Sequence, residues 1–164
     1  MYIRSVVLGT ALALGAGAAW SHGGSHEKKP AAKAAHVNAE EQVFGRAGDP
    51  KRVSRTIQVG MDDTMHFTPG DILVKRGDTI RFVVRNDGKI MHEMVIGTMK
   101  ELREHAELMR KFPEMEHEEP YMAHVSPGKR DEIVWQFTHA GEFFYACLIP
   151  GHLEAGMIAK ITVK

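Results

Sequence analysis

From Arg52 onward the chain alternates apolar and polar residues with a period of two. Ile57, Val59 and Met61 alternate with Thr56, Gln58 and Gly60, and Ile80, Phe82 and Val84 alternate with Arg81, Val83 and Arg85. Successive side chains of a strand point to opposite faces, so this pattern predicts strands with one buried face. Further strands are predicted at about 71–75, 91–96, 132–137, 142–147 and 157–163. Turn-forming runs separate them: Thr68-Pro69-Gly70, Arg76-Gly77-Asp78, Asn86-Asp87-Gly88, Ser126-Pro127-Gly128, His139-Ala140-Gly141 and Pro150-Gly151. About seven short strands so punctuated predict an all-β, two-sheet sandwich with Greek-key connections.

Residues 98–112 (TMKELREHAELMRKF) break the alternation. Met99, Leu102, Ala106 and Met109 recur every three or four positions, which predicts an amphipathic helix that Pro113 stops. An acidic stretch bearing Met and His continues to His124. The whole segment is read as a helical insertion between two strands, packed on the sandwich edge.

The N-terminal region carries no such periodicity. Arg4 precedes an apolar, small-residue run over 5–20, the layout of an export signal occupying 1–21. Ala19-Trp20-Ser21 places cleavage before His22, and Gly17-Ala18-Ala19 offers a second cut. An uncleaved anchor is the competing reading, for which the run is short. Residues 22–50 mix Gly, Ala, Lys, Glu and Pro and read as a flexible arm, leaving the folded domain at 51–164. His22, His26 and His36 in the arm either bind a metal weakly or are incidental to a solvated linker. The expected location is the periplasm, with no stable membrane insertion once the signal is removed.

Composition narrows the function. The 164 residues balance 21 Lys and Arg against 21 Asp and Glu, which gives no clustered positive charge for nucleic acid. A single Cys forms no internal disulfide, while ten His and ten Met bring copper chemistry forward.

That chemistry concentrates in Cys147-Leu-Ile-Pro-Gly-His152-Leu-Glu-Ala-Gly-Met157. Period two places Phe143, Tyr145 and Cys147 on one face, and Met157 with Ala159, Ile161 and Val163 on another. Cys147 and Met157 can therefore enter the same end of the core while the connecting loop carries His152 over it. A fourth donor is expected from another strand end. His92, which shares a face with Met94 and Ile96, is preferred there over His66 and His124. One thiolate, two imidazoles and a weak thioether are the ligands of a mononuclear type 1 copper site cycling between Cu(I) and Cu(II).

The array resembles the cupredoxins, the small copper proteins that include plastocyanin, azurin, auracyanin and rusticyanin, and the likeness extends over residues 52–164. The four-and-four spacing of Cys147, His152 and Met157 is similar to that of auracyanin and rusticyanin. The resemblance implies a cupredoxin-like sandwich with His92, Cys147, His152 and Met157 as copper ligands. The exported, His- and Met-rich chain, with Met91-His92-Glu93-Met94 at the first ligand, looks most like the periplasmic copper-resistance cupredoxins. One departure stands out: plastocyanin and azurin have Asn after the first His ligand, and this chain has Glu93. The change falls on the hydrogen bonding that ties the two ligand loops together, and so on the colour and potential of the site.

Other His and Met residues read individually as gap fillers or surface groups. Collectively Met65-His66, Met115-x-His117 and Met122-x-His124 supply the soft and borderline donors that a weaker additional copper site would need. No zinc-protease signature occurs, since His92-Glu93 and His117-Glu118 lack a second His at the required offset, and no enzyme is expected. Two functions remain: copper tolerance through redox cycling and capture of copper ions, or one-electron carriage between redox proteins. For the latter, Leu148, Ile149, Pro150 and Leu153 would form an apolar docking rim around His152.

Overall fold

The computed structural model describes residues 40–113 and 117–164. The export signal expected at 1–21, the greater part of the arm and Met115 lie outside these residues. In chain order the elements are β1 (Arg46–Ala47), β2 (Arg55–Asp62), β3 (His66–Thr68), β4 (Ile72–Val74), β5 (Thr79–Asn86), β6 (His92–Gly97), α1 (Met99–Lys111), β7 (Met122–Val125), β8 (Arg130–Gln136), β9 (Gly141–Ala146) and β10 (Ile158–Val163). They form two five-stranded sheets, β1-β8-β5-β2-β3 and β4-β10-β9-β6-β7. The β2–β5 and β4–β10 pairs are parallel, and the others are antiparallel. The chain changes sheet five times along its length, the Greek-key sandwich that the strand pattern predicts.

The alternating residues meet between the sheets. Val59, Met61, Ile80, Phe82, Val84, Ile133 and Trp135 from one sheet pack against Met94, Ile96, Phe143, Tyr145, Ile161 and Val163 from the other. Strand β6 departs from simple alternation because it is buried on both faces. Its Met94 and Ile96 face the main core. Val95 joins Leu102, Met122, Ala146 and Leu148 in a second cluster beneath α1.

Helix α1 begins at a capping box. The Thr98 hydroxyl accepts from Glu101 N at 3.3 Å while the Glu101 carboxylate accepts from Thr98 N at 3.0 Å, so two orphan donors of the first turn are satisfied reciprocally. Of the predicted apolar face, Leu102 and Met109 are buried, while Met99 and Ala106 are half-buried.

Three short strands escape the sequence pattern. β1 and β3 have two and three residues, too few to show a period. β7 closes the insertion as an edge strand antiparallel to β6, with Glu93 opposite His124 and His92 opposite Val125. Its alternation is masked because Met122 is covered by α1 while Ala123 and Val125 enter the main core.

The arm expected over 22–50 ends earlier than the sequence suggests, because residues 40–50 belong to the sandwich. Phe44 is 2% exposed and stacks on Trp135 with ring centroids 5.2 Å apart, and its carbonyl accepts from the Trp135 indole N–H at 2.9 Å. Gly45 then passes so close to β8 that a Cβ would lie 2.1 Å from the Gln136 carbonyl oxygen, at a φ of +125°. Only glycine fits there. Val43 and Phe44 stand as one adjacent apolar pair with no large apolar partner two, three or four positions away, which gives no periodic signal, so the sequence assigns them to the arm. Phe44→Ala should lower stability by about 3 kcal/mol in urea unfolding, the lower end of the range for emptying a buried aromatic site. A loss below about 1 kcal/mol would show that this segment lies outside the cooperative fold.

Candidate metal centre

The site lies where the end of β9, the start of β6 and the loop before β10 converge. Asn86, buried at the end of β5, closes the turn that leads to His92. Its amide nitrogen donates to the Ile90 and Val125 carbonyls, both at 2.8 Å, and its amide oxygen accepts from Gly88 N at 2.8 Å. The second segment, 147–157, is pinned at both ends by Cys147 N donating to the Met157 carbonyl at 3.1 Å. Within it His152 N donates to Ile149 O at 2.9 Å and Met157 N to His152 O at 3.0 Å, folding the loop over the sandwich end.

Donor atoms of His92, Cys147 and His152 all lie within 4.8 Å of one another. Cys147 Sγ is 3.2 Å from His152 Nδ1, and the two imidazole rings have centroids 5.0 Å apart. His92 and Cys147 are fully buried, and only 8% of His152 reaches the surface. Met157, also fully buried, stands at the end of the same loop. The other two histidines weighed for the fourth position are elsewhere: His66 is exposed on β3, and His124 lies on β7 against Glu93.

His92 is oriented from behind. Asp63 Oδ1 sits 3.2 Å from its Nε2, and the same carboxylate accepts from Lys89 N at 2.8 Å and Ile90 N at 3.4 Å. These bonds hold the Asp63 carboxyl below its ordinary range. With Nε2 donating to Asp63, the tautomer leaves Nδ1 with a free lone pair. That Nδ1 is buried without a hydrogen-bond partner among the described residues. An orphaned buried polar atom costs about 1–3 kcal/mol, and an imidazole nitrogen facing a thiol and a second imidazole is what a soft or borderline cation requires.

Glu93 supplies the tie between the ligand segments that its sequence position calls into question. Its backbone N–H donates to Cys147 Sγ at 3.4 Å, and its Oε1 accepts from Leu148 N at 2.8 Å. Oε2 meets His124 Nε2 at 3.1 Å. Burial raises the Glu93 pKa, opposed by the Leu148 N–H and by the charges of His124 and His117. Burial also pushes the Cys147 thiol up to about 12, against the pull of the Glu93 backbone N–H. The His152 pKa is lowered, chiefly by burial and then by His92, which keeps its imidazole neutral and able to coordinate.

The rest of the predicted chemistry is redistributed. Leu148 is inside the second core cluster, 1% exposed, so the apolar rim around His152 is left to Ile149, Pro150 and Leu153. Met122 is likewise buried in that cluster, and Met65 packs against the main core. Asp63 and Asn86 support the site without a signal in the sequence pattern. Asn86-Asp87-Gly88 is visible as a turn, but nothing local marks Asn86 as buried or couples Asp63 to a residue 29 positions away.

A buried thiol and two imidazoles in mutual reach, at one end of a two-sheet sandwich, suit a type 1 copper site. Residues 53–164 match the copper binding proteins of the plastocyanin/azurin family, and the chain belongs to that family. It is similar to the copper-resistant cuproprotein CopI of Rubrivivax gelatinosus, at 48% identity over 85% of this chain and 84% of that protein. CopI of Pseudomonas aeruginosa is 34% identical over 77% of this chain and 85% of that protein. Among solved structures auracyanin B superposes with a TM-score of 0.61 at 18% identity, covering 77% of this chain and 99% of that one, a likeness of fold.

If the Glu93 carboxylate ties the segments, Glu93→Ala should destabilise the metal-free protein by about 2 kcal/mol by stranding the Leu148 N–H. Glu93→Gln, which keeps an acceptor, should recover most of that in thermal or urea unfolding. Equal losses in both variants would show that the tie depends on charge rather than on this bond.

Proposed function

We propose that this chain is a periplasmic copper protein in which His92 Nδ1, Cys147 Sγ and His152 Nδ1, with Met157 as a weaker fourth donor, would hold one type 1 copper, and that it contributes to copper tolerance. The observation that carries the reading is the convergence of the three donors around the unpartnered His92 Nδ1. The CopI relatives, named as copper-resistant cuproproteins, support the physiological part. When bound, copper supplies a one-electron exchange between Cu(I) and Cu(II).

The chain's own residues keep that exchange inexpensive. Asp63 fixes the His92 ring, the Cys147–Met157 backbone bond fixes the loop ends, and the close-packed core beneath restricts their movement. The Glu93 N–H drains charge from the Cys147 sulfur, which favours the reduced state. Full burial of Cys147 withholds the thiol from any substrate, in keeping with a non-enzymatic role. No helix among the described residues is long and apolar enough to cross a membrane.

A second reading, a soluble one-electron carrier, draws on the His152 edge. Its ring reaches the surface beside half-buried Ile149 and Leu153 and exposed Pro150, where a redox protein could dock.

Copper-loaded protein should show the visible colour of thiolate-to-Cu(II) charge transfer, and Cys147→Ser should abolish it. A colourless wild-type Cu(II) complex would sink the type 1 assignment. Growth of a Cys147→Ser strain separates the physiological readings: sensitivity to copper supports tolerance, whereas normal survival with impaired respiration supports the carrier.

Met157→Leu should retain bound copper through the three strong donors and raise the reduction potential, since losing a donor disfavours Cu(II) more than Cu(I). Voltammetry checks this. Loss of all copper would mean that Met157 is a principal ligand.

A further inference from the structure

The insertion brings three histidines together outside the first centre. His105 lies on the half-buried side of α1, His117 on the segment after it, and His124 on β7. His105 Nε2 and His117 Nε2 are 2.6 Å apart, with ring centroids at 4.6 Å. The His117 and His124 ring centroids are 5.7 Å apart, near perpendicular. His124 Nε2 in turn meets Glu93 Oε2. Three imidazoles from three separate parts of the chain thus form a row of contacts that ends on one carboxylate.

We propose that His105, His117 and His124, with Glu93 at the inner end, form a second metal site, for a Cu(II) ion held by imidazole nitrogen. Its donor set differs from that of the first centre: nitrogen with a carboxylate, and no sulfur. Such ligands suit divalent ions of borderline softness and do not favour Cu(I). Two nitrogens each about 2.0 Å from one ion, in adjacent positions of the tetragonal geometry that Cu(II) prefers, sit about 2.8 Å apart, so the His105–His117 contact need open by only about 0.2 Å. His124, with a third of its side chain exposed, joins them by turning its ring from Glu93 toward the ion. Burial, together with the charges of His117 and His124, holds the His105 pKa down, which keeps its lone pair available. Met122 takes no part, being packed under α1, although Met122-x-His124 reads as a ligand pair in the sequence.

The choice of Cu(II) rests on the proposed function, whereas the convergence of donors does not. Glu93 makes the two sites neighbours, because the residue that contributes Oε2 here also donates its N–H to Cys147 Sγ and accepts from Leu148. The second site would therefore store an additional oxidised ion against the wall of the first.

The test uses the full chain with His22→Ala, His26→Ala and His36→Ala, to remove the histidines of the arm. Cu(II) titration followed by optical and electron paramagnetic resonance spectra should give one coloured equivalent and a second, colourless equivalent with the wide hyperfine splitting of nitrogen and oxygen ligation. Adding His105→Ala and His117→Ala should remove the colourless equivalent, or weaken it at least tenfold, with the coloured one unchanged. His105→Ala alone, at a half-buried helix position, should weaken it measurably and serves if the double variant does not fold. Retention of the colourless equivalent at unchanged affinity in the variants, or its absence from the parent, would overturn the proposal. Loss of the coloured equivalent from the parent would instead overturn the first centre, so the two readings fail separately.

Discussion

The buried Glu93 side chain is the constraint on which the geometry of the first centre depends. Its residue joins the strand that carries His92 to the loop that carries Cys147 and His152, through one bond to sulfur and one to a backbone amide. A neutral amide side chain could make the second bond at less desolvation cost. The carboxylate makes a stronger, charge-assisted one and needs compensation, which the Leu148 N–H and His124 provide from opposite oxygens. Packing on both faces of β6 then holds Glu93 in place.

This arrangement explains why the insertion belongs to the site rather than to its surroundings. Helix α1 covers the outer face of β6 while β7 pairs along its edge, so Val95 and Leu148 stay dry and His124 is delivered to Glu93 by the antiparallel register. A sandwich without that cover would leave the Glu93 carboxylate facing water on one side, where a bond to Leu148 N–H would contribute less.

The centre also concentrates unfavourable groups: a thiol held protonated by burial, an imidazole nitrogen without a partner, and a buried carboxylate. Each is costly in the metal-free chain, and an ion that accepts the sulfur and nitrogen lone pairs removes two of the three costs at once. Binding of copper and stability of the fold are thereby linked. Burial in the surrounding core, with Phe82, Trp135 and Tyr145 fully buried, offsets these costs.

Local pattern alone determined the two-sheet class, the helix expected over 98–112, and the candidate donors of the 147–157 loop, because strand and helix periods and ligand spacing are properties of neighbours in sequence. It also singled out His92, since period two aligned that residue with Met94 and Ile96. Only tertiary structure decided the rest. Phe44 belongs to the core because Trp135, on a distant strand, offers it a face and an N–H. Asp63 orients His92 and Glu93 bonds to Leu148 through contacts between residues far apart in the chain. Leu148 and Met122, apolar or soft residues that local reading puts on a rim or in a ligand pair, are buried because α1 folds over them. Such assignments depend on which surfaces meet, and a sequence period records only which residues share a face.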